Sequence, residues 1–367
     1  MPIAELIPYR RKNKWGYCYP NGKLLIAPRY DKALPFREGL ALVELKGRKG
    51  FVDTAGREVI ALKYDRAHGF CEGMARVERD GRKGFVNRQG DEVVQLKYDR
   101  VDDFSQGLAR IELGGKWGFA DFTGRKVIPL KYDPYNYGVW FREGFAPVLR
   151  DGRWSYIDKT GREICPAIFD DAKNFSQGLA RVEYNGRWGF IDSDGREAIK
   201  CRYEDAGDFR EGWARVKANG KWGFVTAAGA EAVAPKYHFA GDFCGGFAKV
   251  ESNWEKGFVD RSGKVAIPLK YEDAGTFNQG LAWVIVKGLR GFIDKTGREV
   301  IAPRYDDAGN FSEGLAWVIH KGKRGFVNAK GKVAIPLKYD LAVGFANGIA
   351  WVGRGYINAE GQEYFED

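Results

Sequence analysis

Hydrophobic and polar positions in this chain alternate in short bursts that recur from end to end. In Leu179–Tyr184 the order Leu-Ala-Arg-Val-Glu-Tyr has a period of two, which predicts a strand. Asn185-Gly186 follows, a pair that accepts the two positive φ values of a type I′ hairpin turn. Arg187–Asp192 reads as the returning strand, ended by the turn Asp192-Ser193-Asp194-Gly195. Arg196–Tyr203 reads as a third strand, and Glu204–Gly212 as a loop into the next unit. No helical period of useful length occurs.

The burst repeats. A Gly followed by an aromatic stands at Gly16, Gly50, Gly84, Gly118, Gly189, Gly223, Gly257, Gly291, Gly325 and Gly355, and Ser155 takes that place once. The intervals are 34 residues, except 37 before Ser155 and 30 before Gly355, which makes eleven units. Pairing Tyr184 with Arg187 puts Arg181 and Trp188 diagonally on one face and Ala180, Val182 and Ile191 on the other, the expected dry core. In the Arg181 and Trp188 columns, Arg110/Trp117 and Arg215/Trp222 keep the order, whereas Trp283/Arg290, Trp317/Arg324 and Trp351/Arg354 reverse it. A swap that keeps one aromatic and one cation predicts a cross-strand cation–π contact. Phe residues such as Phe70 and Phe104 recur before the first strand as expected plugs between units, each followed three residues later by Gly.

Lys116-Trp117-Gly118-Phe119, Arg187-Trp188-Gly189-Phe190 and Lys221-Trp222-Gly223-Phe224, with the surrounding Gly-Leu-Ala-x-Val and Tyr-Asp elements, resemble the signature of the bacterial WG (KWG) β-repeat family. Lys49, Lys83, Lys256, Arg290, Arg324 and Arg354 replace its Trp. The resemblance implies a β-repeat architecture with a binding or scaffolding role and no catalytic residues. The expected fold is all-β: one array over residues 1–367 of eleven three-stranded antiparallel units, open and superhelical or solenoid-like, with a closed propeller-like ring as the alternative. The terminal units, near 1–36 and 345–367, read as modified, the acidic end of the chain serving to blunt an exposed sheet edge.

Composition narrows the function. Five separated Cys without a CxxC pair argue against a zinc site or a disulfide framework, and three His in different columns against an acid–base cluster. Carboxylates recur after the Tyr column, as at Asp31, Asp65 and Asp99, and are read as acceptors of backbone N–H bonds; in the turn column Asp53 and Asn87 interchange, as capping tolerates and catalysis does not. No catalytic residue, metal or cofactor is therefore expected. The chain is read as cytoplasmic and without membrane insertion, since its longest apolar run, Leu281–Val286, is far too short to span a bilayer. The net charge of +10 admits nucleic acid, with Arg29, Lys63 and Lys97 opening a basic column, and exposed Trp admits a glycan of the cell wall. The leading expectation is a non-enzymatic scaffold that binds another protein. Its candidate contact residues are Trp283, Trp317 and Trp351, together with Tyr135, Tyr137 and Trp140 at the three-residue insertion.

Overall fold

The computed structural model describes residues 6–135 and 140–366, and among these there is no helix. By their contacts they fall into two compact units, one mainly Ala198–Glu363, the other mainly the residues up to Gly186 together with those from Tyr364.

The predicted hairpin is present with the expected register. Leu40–Leu45 pairs antiparallel with Arg48–Asp53, Leu45 opposite Arg48 and Glu44 opposite Lys49. Lys46 and Gly47 turn the chain at φ 50° and 78°, the positive pair a type I′ turn requires. Glu58–Tyr64 adds the third strand. A fourth strand lies in what reads as a loop: Lys32–Ala33 pairs with Glu44 and Val43. Two residues are too few to show a period, so the sequence pattern undercounts the strands. Among the described residues nine sheets have four strands.

The expectation of an open array of three-stranded units is therefore overturned twice. The strand count is one reason; the fate of the C-terminus is the other. Phe365–Glu366 pairs in parallel with Arg10–Arg11 and becomes the fourth strand of the first sheet. Backbone bonds from Arg10 to Tyr364 (3.1 Å) and from Lys12 to Glu366 (3.0 Å) fix it, as does the Arg11–Glu366 ion pair at 2.8 Å. An exchanged strand of this kind joins both ends of the chain in one sheet, which an open array cannot do. The acidic end does not blunt an edge; it supplies a missing strand. The fold is a β-propeller with nine four-stranded blades, the closed alternative. Phe145–Arg150 with Arg153–Asp158, and Ile349–Trp351 with Tyr356–Asn358, form two further two-stranded sheets.

Sheets of four short strands cannot bury an apolar face alone, so successive blades pack face to face. Phe51, Ile60 and Tyr64 of one blade meet Ala67, Ala75, Val77 and Val86 of the next, all buried. The Phe column plugs these seams as expected: Phe70 sits edge-on to Phe51 at 5.0 Å, and Phe104 to Phe85 at 4.9 Å. The Gly of the repeated Gly-aromatic pair has a steric cause. At Gly50 a Cβ would lie 2.4 Å from the Ile60 carbonyl oxygen, where the third strand bulges between Lys49 and Phe51. Ser155 departs from the rule where the neighbour is irregular. Beside it only the isolated bridges Trp154–Phe169 and Ile157–Glu163 replace a continuous third strand, and the Ser155 hydroxyl donates to the Cys165 carbonyl at 2.7 Å.

Candidate functional site

The Arg and Trp columns do more than cover the sheet. The predicted stacking is present: Arg215 lies 5.1 Å from the Trp222 ring centre, Arg290 4.1 Å from Trp283 and Arg324 4.9 Å from Trp317. Each guanidinium also reaches across to the backbone that leads into the next sheet, in three of the four cases at its short first strand. Arg76 donates to the Val101 carbonyl at 3.0 Å, Arg215 to Ala240 at 2.9 Å, Arg290 to Ala308 at 2.6 Å and Arg324 to Ala342 at 2.8 Å. These acceptors all belong to one column of the repeat. Both strand positions reach it, which explains why Arg and Trp exchange places without loss of the contact. Trp283 and Trp317 thus serve as platforms for an inter-blade clamp. Their indoles are half-buried against Gly275 and Gly309, where a Cβ would come within 2.3 and 2.1 Å. Trp351 sits edge-on to Tyr356 at 5.2 Å. The three lie in three successive sheets rather than in one recess.

The surroundings of Arg110 differ. Tyr135 holds the repeat position that Val101 holds one unit earlier, and in place of a carbonyl it presents its ring to Arg110. The Arg110 guanidinium lies 3.9 Å from the Trp117 ring centre and 4.6 Å from that of Tyr135, with Asp102 at 2.5 Å. Arg110 is only 6% exposed. Its Nε and Nη1, and Nε1 of Trp117, have no hydrogen-bond partner among the described residues. Burial pushes the Tyr135 phenol up from its ordinary pKa, while Arg110 pulls it down. Tyr135 in turn packs at 4.7 Å on Trp154. These groups line a cavity of about 500 Å³ with Asp103, Arg100 and Trp140, the last 41% exposed at its rim. Tyr135 and Trp140 are thus brought together; Tyr137 lies outside the described residues.

The other charged columns are engaged within the fold. Lys63 lies 5.2 Å from the Tyr64 ring and pairs with Glu92 at 3.3 Å; Arg29 lies 4.9 Å from Tyr30. The carboxylate after Tyr caps the hairpin tip of its own blade and pairs with the blade before: Asp31 accepts from the Lys46 N–H at 2.7 Å and from Lys14 at 2.5 Å. Two features escaped the sequence reading. One is a ladder of acidic side chains at positive φ, in which Glu72 accepts from the N–H groups of Gln106 and Gly107, and Glu313 from those of Asn347 and Gly348, at 2.8–2.9 Å. The other is Trp254, 84% exposed at φ 67° in a hairpin turn whose counterparts at Gly220 and Gly288 are glycine. The signal for both was a column the pattern of Gly had masked.

No curated protein matches the chain in sequence. Among solved structures, a eukaryotic initiation factor is similar with a TM-score of 0.50 at 10% identity, over 91% of this chain and 95% of that one. BamB from Moraxella catarrhalis follows with a TM-score of 0.36 at 13% identity, over 72% of this chain and 97% of that one. Such identities concern the fold alone. The model of the WG containing repeat matches ten tandem segments: 15–48, 50–82, 84–117, 117–154, 154–188, 188–222, 222–253, 257–289, 291–323 and 325–353. Covering most of the chain, with the aromatic-Gly pairs and clamps on the same columns, these matches show that it belongs to the WG containing repeat family.

Proposed function

We propose that the protein is a non-catalytic scaffold that binds another protein at the Arg110 cavity. One observation carries this reading: the clamp that Arg76, Arg215, Arg290 and Arg324 make to the next blade's backbone is, at Arg110, replaced by ring contacts around a cavity. Nε and Nη1 of Arg110 and Nε1 of Trp117 are donors and the Asp102 and Asp103 carboxylates beside them are acceptors, so the matching group both accepts and donates, such as an amide on a partner side chain. Buried Arg and Trp beside an exposed aromatic rim are also the residue types that dominate protein interfaces.

The test is a pull-down from nuclease-treated native lysate with wild type, Trp140→Ala and Trp317→Ala. A stoichiometric protein retained by wild type and Trp317→Ala and lost with Trp140→Ala supports the site. Equal retention by all three places the contact elsewhere. Recovery of nucleic acid alone from an untreated lysate would remove the scaffold reading.

A further inference from the structure

Among the described residues the acidic ladder is interrupted at Gly245. On one side of it Glu211 accepts from the N–H groups of Gly245 and Gly246 at 2.8 and 2.9 Å; on the other, the Gln279 side chain accepts from Gly314 at 2.9 Å. Between them the acidic column holds Gly245, so among the described residues no side chain reaches the Gln279 and Gly280 N–H groups as Glu211 reaches their equivalents. Gln279 and Gly280 keep the ladder's geometry, at φ 49° and 85°, close to the 53° and 82° of Glu313 and Gly314. Two successive N–H groups in this conformation form a concave donor pair suited to an anion.

A second observation points the same way. Arg261, in the turn between two strands of its blade, reaches back to Glu211 at 2.8 Å. Lys295 occupies the same column one repeat later, so its counterpart is position 245, where no carboxylate stands. Lys295 does line an open cavity, together with Glu211, Gly245, Gly246, Asp260, Arg261 and Ser262. Lys295 and the Gln279–Gly280 pair thus hold the repeat positions that Arg261 and the Gly245–Gly246 pair hold around Glu211, with Gly245 where that carboxylate would stand.

We propose that Gln279, Gly280 and Lys295 form a carboxylate-binding site, in which an external carboxylate takes the place that Glu holds in other repeats. The ligand is a small carboxylate or the acidic side chain of a peptide. It accepts from both backbone N–H groups, as Glu211 does one rung earlier, and pairs with Lys295. This site is independent of the Arg110 cavity.

Amide NMR of the full chain, deuterated and ¹⁵N-labelled, tests it. Propionate is titrated against sodium chloride at matched ionic strength, and a blocked Gly-Glu-Gly peptide is titrated separately. The expected result is a saturable downfield shift of the Gln279 and Gly280 amides that chloride does not produce. Lys295→Gln should weaken it about threefold, the scale of one exposed charge contact. Tighter binding of the peptide than of propionate identifies a polypeptide as the source; equal binding identifies the free carboxylate. Gly245→Glu should abolish the shift by supplying the rung from within. Amides that do not respond to either probe, or respond equally in Gly245→Glu that has kept its fold, overturn the proposal.

Discussion

Arg110/Trp117 and Arg215/Trp222 are the same two residues at the same two columns of the repeat, and the fold uses them in opposite ways. Arg215 is a clamp: it stacks at 5.1 Å on Trp222, donates to the Ala240 carbonyl at 2.9 Å and pairs with Asp242 at 3.0 Å. Arg110 is an enclosed cation, closer to its Trp at 3.9 Å, against a second ring, and without the carbonyl. The group in the acceptor column separates the two outcomes, Ala240 beside Arg215 and Tyr135 beside Arg110. A repeat array can thus turn a structural contact into a candidate recognition site by changing the acceptor and leaving the donor as it is. Desolvation raises the worth of the ring contacts at Arg110, since a cation–π contact gains about 0.5–1 kcal/mol when exposed and about 2 when buried.

The largest expected difference is at the indoles. Trp117 is 2% exposed and closes the cavity from below, whereas Trp222 is half-buried. Trp117→Ala should cost about 3–5 kcal/mol of stability and Trp222→Ala about half of that. Chemical denaturation followed by near-UV circular dichroism would measure both, and equal losses would mean that the cavity wall carries no special load. Next come the cations. Arg110→Lys keeps the charge but loses the planar stacking on two rings, with an expected cost of about 2 kcal/mol; Arg215→Lys, with one ring and a neighbouring carboxylate that a lysine also pairs with, should cost about 1 kcal/mol or less. Lys249 occupies the Arg215 column one repeat later and pairs with Asp273 at 3.1 Å.

A third comparison concerns the glycine beside each Trp. Gly223→Ser would place a Cβ 2.3 Å from the Val233 carbonyl oxygen, and the third strand would have to move, at about 3 kcal/mol. Ser155→Gly removes a hydroxyl bonded at 2.7 Å to the Cys165 carbonyl and should cost about 1 kcal/mol. Thermal melts of the two variants rank them, and a Gly223→Ser protein as stable as Ser155→Gly would refute the account of the bulge.

Much of this was legible in the residues themselves. The hairpins, their register, the dry Ala/Val face and the Phe plugs followed from alternation and turn chemistry, because each is a local consequence of six to eight residues. The Arg–Trp stacking was legible from the swap, but its inter-blade bond was not, since the acceptor lies 18 or 25 residues on, in a backbone carbonyl no side-chain pattern marks. The fourth strand escaped for the reason given by Lys32–Ala33, two residues held by neighbours rather than by their own propensity. The closed fold escaped because Phe365–Glu366 pairs with residues more than 350 positions away, and its parallel direction breaks the repeat's own rule. Tyr135 and Trp140 were found through a break in period; Gly245 and Trp254 sit in columns of unbroken length, where only the residue type departs.

The smallest expected effect is a null one, and it sets how far the irregularity around Ser155 extends. Asp158 and Asp294 cap the same turn in the irregular and a regular sheet. At Asp158 burial raises the carboxyl pKa, but bonds from Thr160 and Arg162 outweigh it and bring the value from 3.8 to about 2. At Asp294 the Thr296 hydroxyl bond is the main cause of a fall, again to about 2. Since each folded pKa lies below the unfolded one, the stabilisation is complete above pH about 5 and is lost as pH falls through about 2. Carboxyl ¹³C titration should show the two aspartates moving together. An Asp158 that titrates near 3.8 while Asp294 does not would mean that the irregularity of the third strand reaches the turn that precedes it.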